Sequence, residues 1–175
     1  MAFLSRIFAP AAVGRRTALQ PLYDQVVAAA RRPIWYREGR VPDTVTGRFD
    51  MLATVLALVL VRMEREADAA ADAVALTELF IDDMDGSIRE LGFGDLGVGK
   101  QVGKLVALLG GRLGLLRGIG AMDDAALDDA LARNLYRGNA PDAAALDSVR
   151  VALRELDAAI GATGYERLRT GEGGW

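Results

Sequence analysis

The eleven-residue run Met51–Val61 constrains this chain more than any other feature. A helix over that run is apolar on nearly every side, so it belongs in the middle of a bundle, where neighbours cover each face. It is also too short to cross a bilayer, which takes about 20 consecutive apolar residues. The run predicts a central helix from Asp43, an expected N-cap after Pro42, to about Glu66. A chain of 175 residues allows one domain with a sizeable core and leaves little room for a second.

Five further helical patterns surround it. Leu19, Leu22, Tyr23, Val26, Val27 and Ala30 form an apolar stripe over about Thr17–Arg32, with Pro21 in the first turn and Pro33 as the stop. Residues 33–42, bounded by prolines and holding Gly39, read as a loop. A third helix, about Ala69–Leu91, turns Val74, Thr77, Phe80, Ile81, Met84, Ile88 and Leu91 inward, and Gly92 can end it. The fourth carries Val98, Val102, Leu105, Leu109, Leu113 and Leu116. Its Gly110, Gly111 and Gly114 either weaken it or let another helix come close. The fifth, about Asp123–Arg137, has Leu127, Leu131 and Leu135 inward and Gly138 as its stop. Pro141 and Asp142 open the sixth, with Val149, Leu153, Leu156 and Ile160 on its apolar face. No stretch reads as a strand. The fold class is therefore all-α: a single compact bundle of about six helices over residues 17–161. A short apolar and basic N-terminal arm (1–16) precedes it, and a flexible, glycine-rich tail (162–175) follows.

The residue inventory narrows the chemistry. Histidine and cysteine are both absent, which removes the commonest general base, the thiolate nucleophile and the commonest metal ligands. Ser5, Ser87 and Ser148 have no histidine to activate them, so a serine or cysteine hydrolase is excluded. Carboxylate chemistry, an oxygen-ligand metal site, phosphate binding or no chemistry at all remain. A net charge of −3 argues against a general nucleic-acid binder. The charge is uneven, however. Residues 1–40 hold seven arginines against Asp24 and Glu38, whereas residues 64–95 hold ten acids against Arg65 and Arg89. The N-terminal quarter is thus the part suited to an anionic surface. There Phe3, Leu4, Ile7 and Phe8 share one helical face, a candidate membrane contact.

Three motifs invite chemistry. Gly94-Asp95-Leu96-Gly97-Val98-Gly99-Lys100 follows the start of a phosphate-binding loop, but Gln101 stands where Ser or Thr must bind magnesium, and a helix rather than a strand precedes it. Gly92, Gly94 and Gly97 spell a dinucleotide pattern with the same defect, so a helix–helix turn with Asp95 as cap is favoured. Asp82, Asp83 and Asp85 crowd one turn and either hold a divalent cation or form a solvated face, with Asp85 and Arg89 paired at i and i+4. Arg48 and Asp50 lie in the helix that otherwise reads as central. Arg48 either meets Asp83 or Asp85, or else both residues sit on exposed first turns. Trp35 and Tyr36 cover a groove or plug the core.

Taken in order, these segments resemble the ubiquinol–cytochrome c chaperone family, the cytochrome b assembly chaperones. The resemblance rests on Pro33-Ile34-Trp35-Tyr36, Val41-Pro42-Asp43-Thr44, Gly47-Arg48-Phe49-Asp50-Met51, Asp83-Met84-Asp85, Arg89-Glu90-Leu91-Gly92, Gly94-Asp95 and Val98-Gly99-Lys100, then Lys104. Asn134 and Tyr136 add a weaker match, and the whole spans about residues 20–137. The chain departs at Gly97, where a polar residue is usual, and at Gln101, where a basic one is. The resemblance implies an all-α assembly factor that is no enzyme and carries no cofactor and no metal. Its client is cytochrome b, before ubiquinol–cytochrome c reductase is assembled. It also implies a small partner protein or the ribosome as further partners. The negative net charge leads us to expect no specific nucleic acid, and the apolar, basic N-terminus suits a cytoplasmic place, peripheral on the inner membrane. In a groove between helices, Trp35, Tyr36 and Phe49 are expected to give apolar contact. Arg48, Asp50, Asp83, Asp85, Arg89, Asp95, Lys100 and Lys104 are expected to give polar contact or hold the groove's shape. The competing readings are a membrane or ribosome adaptor without a chaperone role, and an all-α magnesium-dependent enzyme built on Asp82, Asp83 and Asp85.

Overall fold

The computed structural model describes residues 10–90 and 98–175, with side chains over 13–84, 103 and 105–175. Among these residues the chain forms helices and no strand. They are α1 (Pro10–Ala30), α2 (Pro33–Arg37), α3 (Val45–Met63), α4 (Ala70–Glu90), α5 (Val98–Leu116), α6 (Asp124–Asn134), α7 (Ala143–Ala162) and α8 (Tyr165–Arg169).

The uniformly apolar helix does sit in the middle. From Asp50 to Met63 every residue of α3 is buried, and α1, α4, α5 and α7 pack around it. Leu56, Leu58 and Val59 have no exposed surface, and each such side chain contributes roughly 1.5–3 kcal/mol by leaving water. α1 also packs along α4, and α6 lies against α7.

Several boundaries differ from the sequence reading. α1 starts at Pro10, seven residues before Thr17, so residues 10–16 continue the helix and Pro21 lies inside it. The apolar stripe hid this, because residues 13–18 face outward and Leu19 is the first buried one. The stretch expected to be a loop holds α2, which Pro33 opens at a position where its missing N–H costs nothing. The cap of α3 is Thr44, whose hydroxyl accepts from the Gly47 N–H at 3.1 Å, and not Asp43. Val74 is 59% exposed, and the inward face of α4 runs through Ala75, Leu76 and Phe80 instead. Gly110, Gly111 and Gly114 face open space, and among the described residues no other helix comes close to them. Asp123 and Asp142 cap α6 and α7 as their positions predict, and Gly138 leaves α6 with φ +84°.

Residues 162–175, expected to be a flexible tail, are packed. Leu168 on α8 is fully buried, and Trp175 nearly so. Gly171 (φ +72°) passes so close to Pro21 that a Cβ would come 2.6 Å from its carbonyl.

Candidate functional site

α1, α3, α4 and α5 leave a groove of about 360 Å³ between the C-terminal end of α1 and the first turns of α3. Phe49 and Leu52 of α3, Val27 and Ala30 of α1, Met84 of α4 and Leu105 of α5 give it apolar walls. Phe49 is held by Phe80, with ring centroids 5.7 Å apart and planes tilted by 30°, a geometry that fixes the ring. Arg31, Arg48 and Asp83 stand among these walls as charged groups. A second hollow of about 430 Å³ shares Val27, Arg31 and Asp83 with the first and continues along α1 to Gln20 and Arg16.

Two of these charged groups, Asp83 and Arg48, are anchored by a neighbour. Asp83 accepts a hydrogen bond from the Tyr23 hydroxyl at 2.7 Å. Burial first, and then that bond to the carboxylate, push the Tyr23 phenol well above its ordinary range. Arg48 donates to Asp43 at 2.5 Å, and this bond lowers the Asp43 carboxyl below its usual range. Arg48 therefore does not pair with Asp83, although both line the groove. Arg16 pairs with Asp82. Asp82 and Asp83 thus bond to α1, and among the described residues no three acids gather into a metal site.

The expected site residues divide into three groups. Arg48, Phe49 and Asp83 come together at the groove. Trp35, Tyr36 and Asp50 do not line it. Trp35 has no exposed surface, and its Nε1 donates to the Ala29 carbonyl at 2.7 Å, so it plugs the core under the end of α1. Tyr36 is half-buried, donates to the Ala30 carbonyl at 2.8 Å, and has its phenol pushed up by burial. Asp85, Arg89, Asp95, Lys100 and Lys104 lie outside the described side chains, as do Phe3, Leu4, Ile7 and Phe8. The turn with the phosphate-loop and dinucleotide patterns falls mostly outside them as well.

Beside the groove, Asp50 is the hub of a buried network that the sequence reading missed. Arg112 Nη2 donates to Asp50 Oδ1 at 2.8 Å and to the Asn134 carbonyl at 3.0 Å. Arg112 Nε reaches the Thr54 hydroxyl at 3.3 Å, and Arg137 Nε meets Asp50 Oδ2 at 3.1 Å. Desolvation pushes the Arg112 guanidinium down, with Asp50 opposing it. One signal was available: Arg112 falls in step with Leu105, Leu109 and Leu116 on the apolar stripe of α5. Above this network Tyr136 donates to the Gly39 carbonyl. Gly39 and Gly47 are forced by packing here. A Cβ at Gly39 would lie 2.3 Å from Val149 Cγ2, and one at Gly47 would lie 1.9 Å from the Pro42 carbonyl oxygen.

No helix among the described residues is long and apolar enough to cross a membrane. A family model described as "Ubiquinol-cytochrome C chaperone" matches residues 37–175. Among solved structures, the crystal structure of the Cbp3 homolog from Brucella abortus is similar. Its TM-score is 0.79 and its identity 32%, over 97% of this chain and 94% of that one. Comparison with curated proteins finds no match.

Proposed function

Because the chain belongs to the ubiquinol–cytochrome c chaperone family, we propose that it is a non-enzymatic assembly factor that binds newly made cytochrome b and promotes assembly of ubiquinol–cytochrome c reductase. The observation that carries the client-binding step is the apolar groove of about 360 Å³ with Phe49 in its wall and Arg48 and Asp83 beside it. A membrane subunit awaiting its partners exposes apolar helix faces to water. Covering such a face gains roughly 25 cal/mol per Å², and only the surplus over ordering costs appears as affinity, so holding is reversible. Arg48 and Asp83 give the client polar contacts that set its register, while Trp35, Tyr36 and Asp50 hold the groove's shape from behind. Asp85, Arg89, Asp95, Lys100 and Lys104 give the client further polar contacts or hold the groove's shape, a role that rests on the family resemblance alone. The protein acts in the cytoplasm at the inner membrane, with Phe3, Leu4, Ile7 and Phe8 as a peripheral contact and a small partner protein or the ribosome nearby.

The test is deletion of the gene in its host, with the assembled reductase scored on native gels. The reductase is expected to fall and to return with the wild-type chain. A normal level without the gene contradicts the assembly role.

A further inference from the structure

Among the described residues most arginines meet a carboxylate, such as Arg62 with Glu66, Arg112 with Asp50, Arg117 with Glu64 and Arg150 with Asp128. Of those that do not, Arg65, Arg133 and Arg167 lie apart, just after α3, on α6 and on α8, whereas the others gather at one corner. Arg31, Arg32 and Arg37 are exposed, and none of them forms a salt bridge with any described residue. They surround α2, and Arg40 follows, paired with Asp142 at 2.8 Å but still mostly exposed. Glu38 is the only acid between Arg31 and Arg40 in the sequence, and the acids that share a hollow with Arg31 are already bonded to α1, Asp24 to Gln20, Asp82 to Arg16 and Asp83 to Tyr23. Pro33 is exposed among these cations, and Ile34 is 38% exposed.

We infer that the corner formed by Arg31, Arg32, Ile34 and Arg37 docks onto the headgroups of an anionic phospholipid bilayer. Unpaired guanidinium groups bind lipid phosphates without first breaking an internal ion pair. An exposed isoleucine and proline between them suit the boundary where headgroups meet acyl chains. A single-stranded nucleic acid fits less well, because such partners stack on free aromatic rings. Here the Trp35 ring is fully buried, and Tyr36 is tied to the Ala30 carbonyl. The corner lies at the opposite end of α1 from Pro10, about 30 Å away for a helix of 21 residues, so it is separable from any contact made by residues 1–9. Arg31 also lines the apolar groove, so docking here opens the groove beside the membrane surface. The inference does not depend on which client the groove holds.

Flotation of the full chain with vesicles tests it. One set is phosphatidylcholine alone, and the other is phosphatidylcholine and phosphatidylglycerol in equal parts. The wild type floats with the anionic set only. The triple variant Arg31→Gln, Arg32→Gln, Arg37→Gln loses on the order of 100-fold in partitioning, about five-fold per arginine. A charge-matched control, Arg65→Gln, Arg133→Gln, Arg167→Gln, keeps most of its binding, and circular dichroism verifies that both variants fold. Equal loss in the control reduces the effect to net charge and overturns the inference. So does a triple variant that floats like the wild type, or a wild type that floats with neither set. Retention of the wild type on RNA but not on vesicles, lost in the triple variant, assigns the corner to nucleic acid instead.

Discussion

Arg112 and Asp50 form an ion pair at 2.8 Å with side chains only 3% and 2% exposed, joining α5 to the central α3. Two desolvated charges persist because each also has other partners: Thr54 and Asn134 for Arg112, Arg137 for Asp50. Removing one partner leaves the other buried and uncompensated, which costs about 3–5 kcal/mol. Arg112→Met and Asp50→Leu are each expected to lose that much in urea unfolding. The double variant is expected to recover most of it.

Glycines on two faces of the bundle predict opposite signs. Gly47→Ala drives a Cβ into the Pro42 backbone and Gly39→Ala into Val149 and Trp35, so each should destabilise by about 1–3 kcal/mol or more. Gly110→Ala and Gly114→Ala meet open space inside α5 and should each stabilise by up to about 1 kcal/mol. Thermal melts of the four single variants check this.

Alkaline pH should unfold the protein through its tyrosines. Tyr23, Tyr136 and Tyr165 have phenols raised above the free value of 10.0, chiefly by burial. Below about pH 10 both states are protonated and the stabilisation is complete. Above it the unfolded chain loses protons first, so stability falls with rising pH. Tyr23→Phe should cost about 1 kcal/mol near neutrality through the lost bond to Asp83. It should show a smaller drop than the wild type between about pH 8 and about pH 11 in urea titrations, since one titrating group is gone. An equal drop would show that Tyr23 plays no part.

Val45 lines the groove and is 58% exposed, so its side chain carries little of the fold. Val45→Glu places a charge in the apolar groove while changing stability by no more than about 0.5 kcal/mol. Assembled reductase in a complemented deletion strain should drop sharply with this variant although the protein accumulates normally. Full assembly would show that the client does not use this groove.

The parts of the fold legible in the sequence were those where one force dominated locally. α3 had no polar face, so its central place followed from its residues alone. Asp123 and Asp142 were readable as caps because each precedes a clear apolar period. α2 was not readable, since five residues are too few to show periodicity and two prolines signalled a loop. Val74 misled because Ala75 and Leu76, one and two positions on, supply the buried face that a β-branched residue suggested. Arg112 stayed hidden because arginine ordinarily seeks water, and only its carboxylate partner explains its burial. At the site, Arg48, Phe49 and Asp83 were found together, whereas Trp35, the most conspicuous aromatic, belongs to the core. Arg31, which lines both hollows, carried no local signal beyond its charge.

The most direct test of client binding is site-specific photo-crosslinking in the native host. A photoreactive residue replaces Val45 inside the groove, and in a second strain it replaces Val151, exposed on α7 away from it. The account predicts an adduct with newly made cytochrome b from position 45 and none from position 151. Cytochrome b captured from 151 but not from 45 would contradict it.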